Sequence, residues 1–210
     1  MKAWYAVVAG GVILGNAACG GDSEPLVLTS VQVTPATVTF TIHGQTQQFV
    51  ATPLDQNGDP IEGLTVQWSI DDSTTATVTA AGVVKAVASG TATVRATTQA
   101  ISGTGSVTVQ QVPNTLLRYG GEGQTGPAGQ PLPTPIEVEA RDGTGYLIRS
   151  LTITFSVTSG GGSVSPATVT TGENGRAAAT WTLGGVGSQQ ARAAVSGTSL
   201  EAVTFSATAN

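Results

Sequence analysis

The chain has 210 residues, 28 of them glycine, and carries 13 acidic against 8 basic side chains for a net charge of -5. Charged residues make up 10% of the sequence, far below the ~25% of an average soluble protein, and the basic ones stand singly. A nucleic-acid partner requires a basic stripe to neutralise phosphates, so that class is excluded. Disorder is disfavoured as well, because it goes with high charge and little apolar content, and here 40% of the residues are hydrophobic. Runs rich in Leu, Glu and Lys are missing, which leaves short strands joined by glycine-rich turns.

The chain starts with Met1-Lys2, an apolar run from Ala3 to Gly15, then Asn16-Ala17-Ala18-Cys19. One cation, a short apolar run and small residues make the layout of a secretory signal over residues 1–18, cleaved after Ala18; as a helix the run is too short to span a bilayer. Cys19 is the single cysteine, so it cannot form an internal disulfide. Ala17-Ala18-Cys19 resembles the lipobox of bacterial lipoproteins, departing from it at Asn16, where leucine is usual. The resemblance implies an acylated Cys19 and a membrane anchor at the cell surface or outer membrane, with the periplasmic side left open. Two or more acyl chains would hold such a protein stably. Residues 19–27, with Gly20-Gly21-Asp22-Ser23-Glu24-Pro25, read as a tether.

From Leu28 onward apolar residues fall on alternate positions, the pattern of half-buried strands. Val31 and Val33 form one pair, followed by Val38, Phe40 and Ile42; Phe49 and Ala51; and Val66, Trp68 and Ile70. Ala76 and Val78, Val83, then Ala92, Val94 and Ala96, and lastly Val107 and Val109 continue the series. Turn signals separate them at His43-Gly44, Asn57-Gly58, Asp71-Asp72-Ser73, Ala81-Gly82, Ser89-Gly90 and Ser102-Gly103. About seven short strands at this spacing are the signature of an immunoglobulin-like sandwich, expected over residues 28–110. Residues 111–114 read as a linker. A second module is expected over 115–210, through Ile136 and Val138; Leu151, Ile153, Phe155 and Val157; Val164 and Val169. It ends with Ala179, Trp181 and Leu183, then Ala193, Val195, Val203 and Phe205.

Residues 49–69 and 136–156 align without gaps at an offset of 87. Asp55 meets Asp142, Gly58 meets Gly145, Ile61 meets Ile148, Leu64-Thr65 meets Leu151-Thr152, and Ser69 meets Ser156, while Trp68 faces Phe155. Such an offset is the length of one small sandwich, so the fold class is all-β, two related sandwiches in tandem after the signal segment.

The first module resembles the bacterial Ig-like group 2 family, through Val31-Gln32-Val33-Thr34-Pro35, Trp68-Ser69-Ile70-Asp71-Asp72, Ala76-Thr77-Val78, Gly82-Val83-Val84-Lys85-Ala86 and Gly90-Thr91-Ala92-Thr93-Val94. The second resembles the group 1 family of invasin and intimin, through Gly121-Glu122-Gly123-Gln124-Thr125-Gly126, Val157-Thr158-Ser159-Gly160-Gly161-Gly162-Ser163-Val164, Asn174-Gly175 and Thr180-Trp181-Thr182-Leu183-Gly184. It departs at Leu147, where that family often has proline. The resemblances imply sandwiches used as stalks and adhesive modules on bacterial surfaces; the membrane barrel and lectin-like tip of invasin-type proteins have no counterpart in this sequence.

Chemistry-bearing motifs are few. Gly121 to Gly126 fits G-x-G-x-x-G, but Pro127, Pro131, Pro133 and Pro135 forbid the helix that a dinucleotide site needs. Asp55, Asn57 and Asp59 place oxygens on alternate residues, as a calcium loop does. Pro60 and Val66 stand where an EF-hand has Gly and Glu, so Asn57-Gly58 reads first as a hairpin turn and the trio as a weak metal candidate. Asp71-Asp72 in an open turn lacks the burial that splits two carboxyl pKa values into acid and base. His43, the single histidine, precedes Gly44 and reads as a turn residue, and no serine sits in G-x-S-x-G. Trp68 and Trp181 occupy alternating apolar positions and are expected in the cores; Tyr119 and Tyr146 are expected at the surface. The expectation is therefore no catalytic site and no cofactor. The chain reads as a surface lipoprotein serving as spacer or adhesion element toward an unidentified protein or glycan, or alternatively as a binder of carbohydrate or another ligand through loops at the sandwich ends.

Overall fold

The computed structural model describes the backbone of residues 5–8 and 11–14, and residues 25–210 in full. Among these residues every regular element is a strand, and no helix is long and apolar enough to cross a membrane. Tyr5–Val8 (β1) and Gly11–Leu14 (β2) pair antiparallel. Leu26–Val27 (β3), counted with the tether on sequence, pairs with β2.

The chain divides into two compact units, one running to Phe40 and then over Gly44–Val109, the other made of Thr41–His43 and Gln110–Asn210. The first unit contains β4 (Ser30–Thr34), β5 (Thr37–Phe40), β6 (Thr46–Gln48), β7 (Val50–Leu54), β8 (Gln67–Ile70), β9 (Ala76–Val78), β10 (Val83–Ala86), β11 (Gly90–Thr98) and β12 (Ile101–Val109). They form a sheet ordered β5-β12-β11-β8, a second ordered β6-β10-β9, and the pair β4-β7. Side chains on alternate positions meet between them: Val31 and Val33 from β4, Val84 and Ala86 from β10, Ala92, Val94 and Ala96 from β11, Val107 and Val109 from β12. Phe49, between β6 and β7 where the chain changes sheets, is 1% exposed and fills the centre.

Three sequence readings shift here. Val83 was expected inward, but Val84 and Ala86 are buried and Val83 is half-exposed, because β10 follows its partners β6 and β9 in register. Ser102-Gly103 is no turn; it lies inside β12, and the β11–β12 hairpin turns at Gln99-Ala100, both at positive φ. Gly103 is small for another reason: a Cβ there would run into the Val31 carbonyl of β4. Trp68, expected in the core, is half-buried and only packs against it, because β8 is the edge strand of its sheet.

The second unit contains β13 (Pro113–Gly120), β14 (Gln124–Gly126), β15 (Ile136–Asp142), β16 (Thr152–Ser159), β17 (Gly162–Ser165), β18 (Thr168–Thr170), β19 (Arg176–Leu183), β20 (Gly187–Val195) and β21 (Val203–Ala209). Its sheets are ordered β13-β15-β19-β17 and β14-β21-β20-β16-β18. Pro113 and Asn114, expected in the linker, already belong to β13. Trp181 is 0% exposed, held among Ile136, Val138, Phe155, Ala193 and Phe205. Its Nε1–H is, among the described residues, the buried side-chain polar atom without a hydrogen-bond partner. The chain therefore folds as two Ig-like sandwiches, each with its own core.

The two tryptophans should separate in a mutational series. Trp181→Ala removes a wholly buried ring and should cost about 3–5 kcal/mol in denaturant unfolding. Trp181→Phe should cost less than half of that, since it also deletes an unpaired donor. Trp68→Ala should cost clearly less than Trp181→Ala; equal losses at the two positions would refute this assignment of burial.

Candidate functional site

The echo at an offset of 87 is one turn built twice. In the first unit the Asp55 carboxylate Oδ1 accepts hydrogen bonds from the backbone amides of Asn57 at 2.8 Å and Asp59 at 2.9 Å. The Gly58 amide donates to the Asp55 carbonyl at 3.2 Å and the Asp55 amide to the Asp59 carbonyl at 2.9 Å. In the second unit Asp142 Oδ1 accepts from the amides of Thr144 at 2.9 Å and Tyr146 at 3.0 Å. Gly145 donates to the Asp142 carbonyl at 2.9 Å and Asp142 to the Tyr146 carbonyl at 2.9 Å. Gly58 and Gly145 sit at φ +86° and +82°, a conformation glycine adopts without steric cost. Ile61 and Ile148 are buried just beyond each turn.

Asp55 is thus spent on closing its own hairpin, and Asn57 and Asp59 contribute backbone amides to it. Among the described residues no group of three or more His, Cys, Asp or Glu side chains is gathered to hold a metal. The amide of Asp59 foremost, with those of Asn57 and Gly58, holds the Asp55 pKa below its ordinary value. Asp142 goes further. Its Oδ2 also accepts from the His43 amide at 2.8 Å and the Gln111 side-chain amide at 2.9 Å, and Thr144 Oγ1 donates to Oδ1 at 2.6 Å. Burial works to raise the Asp142 pKa, but these donors together outweigh it and hold it well below the carboxylate range.

The remaining sequence candidates are likewise occupied. Asp71 accepts from the Thr93 amide at 2.7 Å, and that bond lowers its pKa. Asp72 accepts from the hydroxyls of Thr74 and Thr75, each at 2.7 Å, which brings its pKa to about 2. Both acids are therefore pushed the same way, whereas an acid–base pair needs them pushed apart. Gly121 to Gly123 connects β13 to β14, the rest of the motif is β14 itself, and Glu122 accepts from the Ser206 hydroxyl at 2.7 Å. His43 lies in a turn with its ring stacked on Tyr146 at a centroid distance of 3.5 Å. Ala18 and Cys19 lie outside the described residues.

One cluster was not found on sequence. On the outer face of the β13-β15-β19 sheet, Glu139 is 5% exposed and bonds two arginines. Arg141 Nη2 is 2.6 Å from its Oε1 and Arg176 Nε is 3.1 Å from its Oε2. The Arg176 guanidinium lies 3.2 Å from the centroid of the Tyr119 ring, and Leu117 pairs across from Glu139 in the β13–β15 register. Leu117 is 47% and Tyr119 50% exposed. Burial tends to raise the Glu139 pKa, but the bonds from Arg141 and Arg176 prevail and lower it. Tyr119 and the two arginines are thereby held in place, so they keep little side-chain freedom to lose. The alternation Glu137, Glu139, Arg141 signals an outward face; the partners on β13 and β19 need the register. Elsewhere in this unit a shallow polar hollow of about 230 Å³ is lined by Ser188, Gln190, Ser206 and Thr208.

The twin turns set a pH dependence. A carboxylate with a lowered pKa stabilises the fold above its unfolded value of 3.8 and loses that contribution as pH falls through the folded value. Melting temperature should therefore hold down to about pH 4 and drop below it. Asp142→Asn, which turns an amide toward the donors on Oδ2, should cost about 2–3 kcal/mol, and Asp55→Asn clearly less. Added calcium should leave the melting temperature unchanged; a rise would return Asp55, Asn57 and Asp59 to metal binding.

Residues 27–110 match the family model of the bacterial Ig-like domain (group 2). Comparison of the sequence with curated proteins returned no match. Among solved structures the chain is similar to the Yersinia pseudotuberculosis adhesin InvE, at 20% identity and a TM-score of 0.57, over 91% of this chain and 62% of that one. It is also similar to Yersinia pseudotuberculosis InvD, at 18% identity and a TM-score of 0.50, over 86% of this chain and 57% of that one. It spans less than two thirds of either chain, and at these identities the likeness is one of fold: Ig-like sandwiches in tandem.

Proposed function

We propose that this chain is an exported bacterial lipoprotein, anchored through Cys19, whose two Ig-like sandwiches act as a non-catalytic spacer or adhesion element at the cell surface. The observation that carries the reading is how the polar side chains are used. Asp55, Asp71, Asp72 and Asp142 all serve backbone amides or turn hydroxyls, which is structural work. The outward cluster of Leu117, Tyr119, Arg141 and Arg176 lies on a sheet face, a shape suited to a protein partner. Kinship of residues 115–210 with the group 1 Ig-like modules of invasin and intimin is part of the same proposal, supported by the Gly160-Gly161-Gly162 run and by Trp181 in the core. The similarity to an adhesin fits this use by analogy of fold.

The polar hollow around Ser188 and Ser206 favours a second reading, a carbohydrate bound by hydroxyl and amide groups. The tyrosines do not strengthen it, because Arg176 already covers Tyr119 and His43 covers Tyr146, and a sugar ring needs an open aromatic face. Two measurements test the proposal. Cells fed a fatty-acid probe should label the wild-type chain and not Cys19→Ala; equal labelling would end the lipid anchor. A glycan array probed with the purified chain should show no saturable binding, and reproducible micromolar binding would replace the adhesion reading with the carbohydrate one.

A further inference from the structure

Two Asn-Gly pairs occupy the same position of the same kind of turn in very different surroundings. In the first unit Gly58 donates to the Asp55 carbonyl three residues back at 3.2 Å, and in the second Gly175 donates to the Gly172 carbonyl at 2.9 Å. Both glycines have positive φ, +86° and +67°, so each asparagine stands just before the left-handed residue of its turn. The local backbone is matched and the environment differs.

Gly58 is exposed, with nothing within 4 Å of the point where a Cβ would stand. Gly175 is buried: the same point lies 2.9 Å from Leu147 Cβ and 3.2 Å from the Ala140 carbonyl oxygen. The Gly175 carbonyl accepts from the Ala140 amide at 2.9 Å, and the Asn174 Oδ1 accepts from the Arg176 amide at 3.1 Å. The second turn is thus clamped at the side chain and at the peptide that follows it. At the first, the buried Asp55 carboxylate holds the Asn57 and Asp59 amides, but Asn57 and Gly58 themselves stand exposed with no neighbouring side chain packed on the glycine.

We propose that Asn57-Gly58 is a self-modification site, an asparagine that converts to aspartate and isoaspartate in the folded chain, and that Asn174-Gly175 is protected from the same chemistry by its packing. The Gly58 amide nitrogen loses its proton and attacks the Asn57 side-chain carbonyl carbon. The new N–Cγ bond closes a five-membered imide, and ammonia leaves carrying the proton. Water then opens the imide at either carbonyl, leaving one new carboxylate. Ring closure requires the turn to open, and an exposed tip opens more readily than a clamped one. The product carries a third negative charge between Asp55 and Asp59. In the isoaspartate form one methylene more separates the amides that Asp55 Oδ1 holds, so the hairpin that ends β7 loosens.

The test holds the full chain in warm, mildly alkaline buffer and follows both sites by peptide mapping after cleavage at acidic residues, with isoaspartate detected enzymatically. Asn57 should convert about ten-fold faster than Asn174 or more, the rate ratio that about 1.4 kcal/mol of extra opening cost produces. In strong denaturant the two rates should converge. Equal rates in the folded chain would overturn the proposal, and so would a ratio that survives unfolding, since sequence rather than packing would then set it. Asn57→Gln should remove the acidic species that accumulates in charge-resolved separations; its persistence would place the modification elsewhere.

Discussion

Both cores are built from alternate side chains, and alanine supplies about a third of them. Ala76, Ala86, Ala92 and Ala96 serve the first unit, and Ala140, Ala177, Ala179, Ala191, Ala193, Ala207 and Ala209 the second. Each such residue removes little apolar surface from water, and burial yields only about 25 cal/mol per Å². No internal disulfide adds to it, since Cys19 is alone. The stability of each sandwich therefore leans on a few large rings, Phe40 and Phe49 in one and Trp181, Phe155 and Phe205 in the other. It leans equally on leaving almost no buried polar group unsatisfied, because one such group forfeits what several buried alanine methyls supply.

That second demand explains where the two units still resemble each other in sequence. A strand position accepts any apolar residue of suitable size, so the half-buried Trp68 can stand where the second unit has the buried Phe155. A turn that closes on a carboxylate accepts few substitutions: the acid must be short, the left-handed position favours glycine, and the residue beyond must be apolar to turn back into the core. Asp55, Gly58 and Ile61 meet those demands in the first unit, and Asp142, Gly145 and Ile148 in the second. The gapless echo falls on this stretch because here chemistry, and not merely volume, is constrained.

The same distinction governs how much was legible. Strand alternation located most core positions, among them Val94, Val107, Val138 and Trp181, since period two is imposed by the pleat itself. Alternation does not say which strand is an edge, so Trp68 looked as buried as Trp181. In β10 adjacent valines offer two phases, and pairing with β6 and β9 chose Val84. Ser102-Gly103 has turn chemistry, yet Gly103 answers to the close approach of β4. The placement of Thr41–His43 with the second unit had no sequence signal at all, because a backbone amide reaching a distant carboxylate leaves no mark on residue type. The outward cluster was hidden for a related reason: Tyr119, Glu139 and Arg176 come from three strands and meet only once register is known.

The outward faces of the two units differ in chemistry. In the first, β11 and β12 present Thr91 opposite Thr108 and Thr93 opposite Ser106, with Arg95 bonded to Ser102. Such a hydroxyl face stays well hydrated, and water bound there is displaced at little profit. In the second, Tyr119 and Leu117 add apolar area beside arginines already held by Glu139. Desolvating that cluster exposes no unpaired charge, since each arginine keeps its carboxylate partner, while the ring and the leucine gain from leaving water. The two faces thus differ in what they would gain on leaving water, a difference that follows from side-chain chemistry alone and involves no pocket.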